Sequence, residues 1–102
     1  MLGIAYKKNV SDYRESPALE IIELLMKQGS DVSYSDPFVP EFRLHDRVLK
    51  SISPADPGNF DLAILVTNHD QFDPQALLNQ FPVILDTRNA FKGITSDRVI
   101  RI

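Results

Sequence analysis

Ser16-Pro17-Ala18-Leu19-Glu20-Ile21-Ile22-Glu23-Leu24-Leu25-Met26-Lys27-Gln28-Gly29 decides the fold, together with the short apolar runs on either side of it. Ser16 is a strong N-cap, because its hydroxyl can accept from an N–H that the first helical turn leaves unpaired. Pro17 suits the first helical position, where a missing N–H costs nothing. Ala18, Ile21, Ile22, Leu25 and Met26 recur at helical spacing, and Gly29 supplies the stop. The pattern predicts a helix over 17–28. Before it, Leu2 to Tyr6 reads as a strand; after it, Val32 to Ser35 reads as a second, ended by Asp36-Pro37. Strand, helix and strand within residues 2–35 form a βαβ unit, which requires parallel strands and a right-handed crossover.

The remainder repeats the alternation. Asp61-Leu62-Ala63-Ile64-Leu65-Val66 is nearly continuous in apolar residues, as expected of a central parallel strand covered on both faces. Pro74 to Gln80 predicts a short helix through Ala76, Leu77 and Leu78. Val83 to Leu85 reads as another buried strand and Val99 to Ile102 as a terminal one. The fold class is therefore α/β: an open, mostly parallel, Rossmann-like sheet in three layers. Residues 36–60 fit less neatly. They carry Pro37, Pro40, Pro54 and Pro57, and only Arg47 to Ile52 alternates like a strand. A short strand near 47–50 is expected there and mostly loop elsewhere, since Ser53 to Asn59 holds two prolines and a glycine and makes a poor helix.

With 102 residues, 43% of them hydrophobic and 25% charged, the chain is expected to be one soluble globular domain. No apolar run approaches the ~18 residues of a membrane span. The absence of cysteine excludes disulfides, thiolate metal sites and a cysteine nucleophile within the chain. A net charge of -3 gives no general attraction to nucleic acid or to an anionic membrane. A cytoplasmic location is the expectation.

Ligands of an open parallel sheet bind outside the carboxyl ends of its strands, where the strand order reverses. Four segments qualify: Lys7 to Arg14, Asp36 to Val39, Thr67 to Gln71, and Asp86 to Asn89. The first lacks the Gly-x-Gly-x-x-Gly that lets backbone approach a dinucleotide pyrophosphate. It carries Lys7, Lys8 and Arg14 just before a helix N-terminus, an anion site built from side-chain cations. The alternative is a solvated loop whose cations pair with Asp12 and Glu15. Arg88, in Asp86-Thr87-Arg88, should project over the same rim as Lys7, and its planar fork suits phosphate or carboxylate. The alternative there is a surface arginine paired with Asp86. Thr67-Asn68-His69-Asp70 invites an acid/base reading, but with no nucleophile evident beside it a helix-capping turn is the better one. His45 has no recognisable ligand partners, which argues against a metal site.

Gly3-Ile4-Ala5-Tyr6-Lys7-Lys8-Asn9-Val10-Ser11-Asp12-Tyr13-Arg14-Glu15-Ser16-Pro17-Ala18-Leu19-Glu20-Ile21-Ile22 closely resembles the opening of the C-terminal domain of the UDP-glucose/GDP-mannose dehydrogenase family. The resemblance continues through Tyr34-Ser35-Asp36-Pro37, Thr67-Asn68-His69-Asp70-Gln71-Phe72 and Asp86-Thr87-Arg88, and covers essentially the whole chain. Tyr-Ser-Asp-Pro and Asp-Thr-Arg look most like the branch that oxidises UDP-N-acetylhexosamines. The resemblance implies an NAD-dependent enzyme that converts a sugar C6 alcohol to a carboxylate in two hydride transfers, through a cysteine thiohemiacetal and thioester. It implies that this chain is the last third of such an enzyme, binds the nucleotide part of a UDP-sugar, and is inactive alone. The N-terminal NAD-binding domain, a linking helix and the nucleophilic cysteine would lie outside it, in an enzyme that is usually a homo-oligomer. Lys7 and Arg88, with Tyr6 beside them, would then contact substrate, and Arg14 would face the NAD side of the interdomain cleft. Two features depart from the family pattern: the short proline-rich 53–59, where many relatives carry a helix, and Asp-Thr-Arg in place of the commoner Asp-Gly-Arg. The competing readings are a phospho-receiver-like signalling domain and a structural or dimerisation module. A receiver needs an acidic pair closing the first strand and an aspartate closing the third; Tyr6-Lys7-Lys8 and Val66-Thr67 stand there instead.

Overall fold

A computed structural model of the chain describes residues 1–53 and 60–102. The expectation of loop over 54–59 lies outside the described residues. Helix α1 runs Pro17–Lys27 and starts as its sequence predicts: the Ala18 N–H donates to Ser16 Oγ at 3.1 Å. It stops where the chain turns at Gly29, whose φ is +89°, and the Ser30 N–H returns to Leu25 O at 3.0 Å. Replacing Ser16 with alanine is expected to lower the unfolding free energy by about 1 kcal/mol. A urea melt checks this; a loss below ~0.3 kcal/mol would mean that the hydroxyl is not the cap.

The other elements are β1 (Glu41–Leu44), β2 (Arg47–Lys50), β3 (Ala63–Leu65), α2 (Pro74–Gln80), β4 (Ile84–Asp86) and β5 (Val99–Arg101). β3, β4 and β5 form a parallel sheet in that order, with Ala63 opposite Ile84 and Ile84 opposite Val99. Leu2 extends the sheet beyond β3, bridging Leu65 on one side and Ser35 on the other, both in parallel. The chain thus runs from the middle of the sheet at Leu2, through α1, to the outer position at Ser35. It then returns to the opposite side of Leu2 at β3. This is the expected βαβ unit.

The two strands of that unit are much shorter than the sequence predicts. Leu2 to Tyr6 and Val32 to Ser35 reduce to single bridges at Leu2 and Ser35. The reason lies in where the N–H groups go. Gly3 turns left-handed at φ +81°, and the N–H groups of Ile4 and Ala5 donate to Asp36 Oδ2 at 2.8 and 2.9 Å. A buried carboxylate takes the donors that a longer strand would have spent on its neighbour. On the other side, the Asp36 N–H donates to Ser51 Oγ at 2.9 Å. β3, β4 and β5 form where expected, with their ends shifted or trimmed by one or two residues.

β2 occupies the expected 47–50, but β1 forms where loop was expected. The two make an antiparallel hairpin, with Leu44 opposite Arg47 and a left-handed His45 (φ 55°) in the turn. Glu41–Leu44 offers only two apolar residues behind Pro40, too few for alternation to register. Phe42 decides it by tertiary contact: its ring packs 5.1 Å from Tyr34 and 5.6 Å from Tyr13, centroid to centroid.

Alternation along β3 sends successive side chains to opposite faces. Ala63 and Leu65 pack with Leu77 and Leu78 of α2 and with Phe91. Ile64 and Val66 pack with Ala18 and Ile22 of α1 and with Tyr34. Each helix covers one face, which gives the predicted three layers. Leu2 belongs to the first cluster and Ile4 to the second. A regular strand would put them on one face; the left-handed Gly3 between them separates them. Among the described residues, no helix is long and apolar enough to cross a membrane.

Candidate functional site

The strand order reverses between Leu2 and β3, so the crevice at their carboxyl ends is the place for a ligand. A cleft of about 340 Å³ lies there, lined by Ala5, Tyr6 and Lys7 on one side and Val66 and Thr67 on the other, and completed by Ser16, Pro17 and Arg88. Three sequence-derived candidates, Tyr6, Lys7 and Arg88, thus meet in one cleft at the N-terminus of α1.

Lys7 is exposed and forms no ion pair with a described residue. Its Nζ stands 5.8 Å from the centroid of the half-exposed Tyr6 ring. Arg88 is exposed and its guanidinium likewise has no carboxylate partner among the described residues. Asp86 is not available to it: that carboxylate is fully buried and held by backbone. Asp86 Oδ1 accepts from the N–H groups of Arg88 (3.0 Å) and Ala90 (3.1 Å), and Oδ2 from Phe91 (2.9 Å).

The remaining cations of the first loop lie elsewhere. Lys8 Nζ is 3.1 Å from Asp70 Oδ1, outside the cleft lining. The Asn9 side-chain amide, and after it Lys8, hold the Asp70 carboxyl below its ordinary value. Arg14 also stands outside the lining. Its Nε and Nη2 donate to Asp12 at 3.1 and 3.2 Å, and that bonding holds the Asp12 carboxyl low. The solvated-loop alternative therefore describes Arg14, whereas Lys7 faces the cleft.

The helix end adds field more than hydrogen bonds. Pro17 has no N–H and the Ala18 N–H is already taken by Ser16 Oγ. An anion in the cleft would find its side-chain donors in Lys7 and Arg88.

His69 differs from its sequence reading. It is fully buried, and the cap of α2 is Asp73, whose side chain accepts from the Gln75 N–H at 3.2 Å. The His69 ring instead accepts from the Asn9 N–H through Nδ1 at 2.7 Å and meets Asp36 Oδ2 through Nε2 at 2.9 Å. Asp36 also accepts from the Phe38 N–H at 2.8 Å. Sequence reasoning missed both buried carboxylates as loop anchors. A usable signal was present: aspartate closing an apolar run and accepting from the N–H two residues on, at 36→38 and 86→88. Nothing in the spacing links Asn9, Asp36 and His69. His45 pairs with Glu23 at 3.0 Å, and the described residues hold no cluster of three metal-ligating side chains.

Comparison with known proteins points to one family. The family model described as "UDP-glucose/GDP-mannose dehydrogenase family, UDP binding domain" matches residues 1–93. A UDP-N-acetyl-D-mannosamine dehydrogenase of Methanocaldococcus jannaschii is 32% identical over 97 residues, covering 87% of this chain and 22% of that protein. A UDP-glucose 6-dehydrogenase of Bacillus subtilis is 32% identical over 100 residues, covering 89% and 22%. The chain therefore spans less than a quarter of the length of these relatives. Among solved structures, a UDP-N-acetyl-mannosamine dehydrogenase from S. aureus superposes with a TM-score of 0.70 at 26% identity, over 98% of this chain and 24% of that one. A UDP-D-ManNAc dehydrogenase from Pyrococcus horikoshii shares the fold at a TM-score of 0.74 and 24% identity, over 99% and 24%.

Proposed function

Because the chain belongs to the UDP-glucose/GDP-mannose dehydrogenase family as its UDP-binding domain, we propose that the Lys7–Arg88 cleft grips a UDP-sugar for oxidation at C6 by an NAD-dependent dehydrogenase. One observation carries this reading: two cations without a carboxylate partner among the described residues line a single cleft at the switch point of the sheet. A lysine point charge and an arginine fork suit a diphosphate, and the half-exposed Tyr6 ring offers a face beside them. The names of the relatives support a UDP-N-acetylhexosamine or UDP-glucose as substrate.

The rim of this chain does not fit NAD. Its first turn carries Lys7 and Lys8 instead of glycines, and the first backbone donor of α1 is used by its own cap. We assign NAD to a separate N-terminal domain, with Arg14, exposed and outside the cleft lining, as the contact offered from this side. The contribution of this chain to the reaction is then to bind and orient: fixing the diphosphate holds the sugar in one pose against groups supplied by that other domain.

Calorimetric titration with UDP-sugar tests the assignment, using the chain alone or rejoined to its N-terminal domain. Lys7→Ala and Arg88→Ala are each expected to weaken binding by roughly 10- to 150-fold, the worth of one charge-assisted hydrogen bond. Lys8→Ala should matter less, and the Tm of all three should barely move. Equal losses for Lys7→Ala and Lys8→Ala would show diffuse attraction and not this contact.

A further inference from the structure

We infer that His69 is a positioning residue: through the Asn9 N–H it fixes the loop that presents Tyr6 and Lys7, and so sets nucleotide affinity without touching the cleft. The inference rests on the proposed reading of that cleft as a UDP-sugar site. Residues 6–9 are held at both ends. Upstream, the Ile4 and Ala5 N–H groups donate to Asp36 Oδ2 at 2.8 and 2.9 Å, and Ala5 O accepts from Thr67 Oγ1 at 2.6 Å. Downstream, the Asn9 N–H donates to His69 Nδ1 at 2.7 Å. The ring then closes the circuit, because His69 Nε2 lies 2.9 Å from the same Asp36 Oδ2. One carboxylate oxygen holds the start of the loop directly and its backbone end through an imidazole, beside the exposed bonds of 2.7 and 3.1 Å that the Asn9 side chain makes with Asp70.

Asn9 needs such a hold. Its φ of 61° is left-handed, a conformation that a residue with a Cβ adopts only at a cost. The tautomer follows from the donors. An amide N–H faces Nδ1, so that nitrogen must offer its lone pair, and Nε2 carries the proton toward the carboxylate. Phe38 and Phe72 stand 4.8 and 5.7 Å from the ring, centroid to centroid, so the fully buried imidazole cannot swing away. Lys7 is a flexible side chain on a pinned backbone, and pinning lowers the ordering cost of binding.

A merely structural buried pair would predict that affinity follows stability. Two substitutions separate the roles, because a glutamine amide reaches the place of Nε2 and an asparagine amide the place of Nδ1. His69→Gln should keep the bond to Asp36 and lose the acceptor for Asn9. Amide exchange at Asn9 should then quicken at least about tenfold and UDP affinity fall about tenfold, with the Tm within about 3 °C of wild type. His69→Asn should show the reverse: affinity within about threefold, and a Tm lowered by more than about 5 °C. Affinity falling in step with Tm in both variants would overturn the inference, as would unchanged exchange or unchanged affinity in His69→Gln. Should the wild-type chain bind no UDP, the cleft reading fails separately, while Asn9 exchange in His69→Gln still decides the clamp. Nitrogen NMR of the wild-type ring needs no variant at all: a proton on Nδ1 would refute the arrangement.

Discussion

Gly3→Ala is expected to leave no cooperatively folded chain at 25 °C in dilute buffer. A Cβ at this position would overlap Thr67 O and stand 2.6 Å from Thr67 Cβ and 2.9 Å from Thr67 N. Neither side can yield cheaply. The Gly3 N–H donates to Ser35 O at 2.8 Å, the Leu2 N–H to Ile64 O at 2.8 Å, and the Val66 N–H to Leu2 O at 2.9 Å. Relief of the overlap therefore opens the centre of the sheet. The left-handed φ of +81° adds about 1–2 kcal/mol for any L side chain, and forced overlap in a packed core adds about 1–3 kcal/mol or more. With the broken ladder bonds the total reaches about 4–6 kcal/mol, comparable with the whole stability of a small domain. Gly29→Ala is the matched control. It has a φ of +89° but nothing within 4 Å of the added Cβ, so it carries the backbone strain alone. Circular dichroism and urea melts compare the two. If Gly3→Ala melts within about 1 kcal/mol of Gly29→Ala, the close approach at Thr67 does not constrain the fold.

The contrast between these glycines marks the limit of what the sequence states. The helix at 17–27 was legible because every signal is local: Ser16 caps it, Pro17 opens it, Ala18 and Ile22 face inward and Gly29 ends it. β3 was legible because a strand buried on both faces is apolar at successive positions. The extent of the first strand was not. Leu2 to Tyr6 looks uniformly extended until Asp36, distant in sequence, withdraws the Ile4 and Ala5 N–H groups from any ladder. β1 was hidden for a related reason, since Phe42 is held by Tyr13 and Tyr34 and not by any pattern in its own four residues.

For the site, position along the strands carried most of the information. Lys7 and Arg88 each follow a buried strand segment, and topology alone brings them to one rim. Separating Lys7 from Lys8 and Arg14 needed the partners: Asp70 and Asp12 each lie within hydrogen-bonding reach of one cation and of neither other. The buried polar frame beneath the rim was the least legible part. Asp36, Asp86 and His69 are chemistry-bearing residues in the sequence. The structure gives every polar atom of their side chains a hydrogen-bond partner in loop backbone or in one another, the condition under which such groups tolerate burial.

At Asp86 that frame can be tested with a large effect, and Asp86→Ala is expected to lose about 3–5 kcal/mol of stability. Three backbone N–H groups donate to this buried carboxylate, and hydrogen bonds to an ionised acceptor contribute about 1.5–3 kcal/mol each before partial relaxation and rehydration. Alanine removes all three acceptor contacts at once. The Phe91 N–H is then left inside the core, because Phe91 is itself fully buried against β4 and α2. The same carboxylate holds the Arg88 N–H, so the loss should reach the cleft as well: UDP-sugar affinity of any folded fraction is expected to fall toward that of Arg88→Ala. Arg88→Ala supplies the opposite signature, weak binding at unchanged Tm, because its exposed side chain carries no load in the fold. Asp86→Asn falls between them, at about 1–3 kcal/mol. Its one oxygen can serve Arg88 and Ala90 while its amide N–H confronts Phe91. Urea melts and calorimetry on the three variants give the order of both losses. Stability of Asp86→Ala within about 1 kcal/mol of wild type would show that Thr87, whose hydroxyl donates to Leu65 O at 2.7 Å, anchors this rim without the carboxylate.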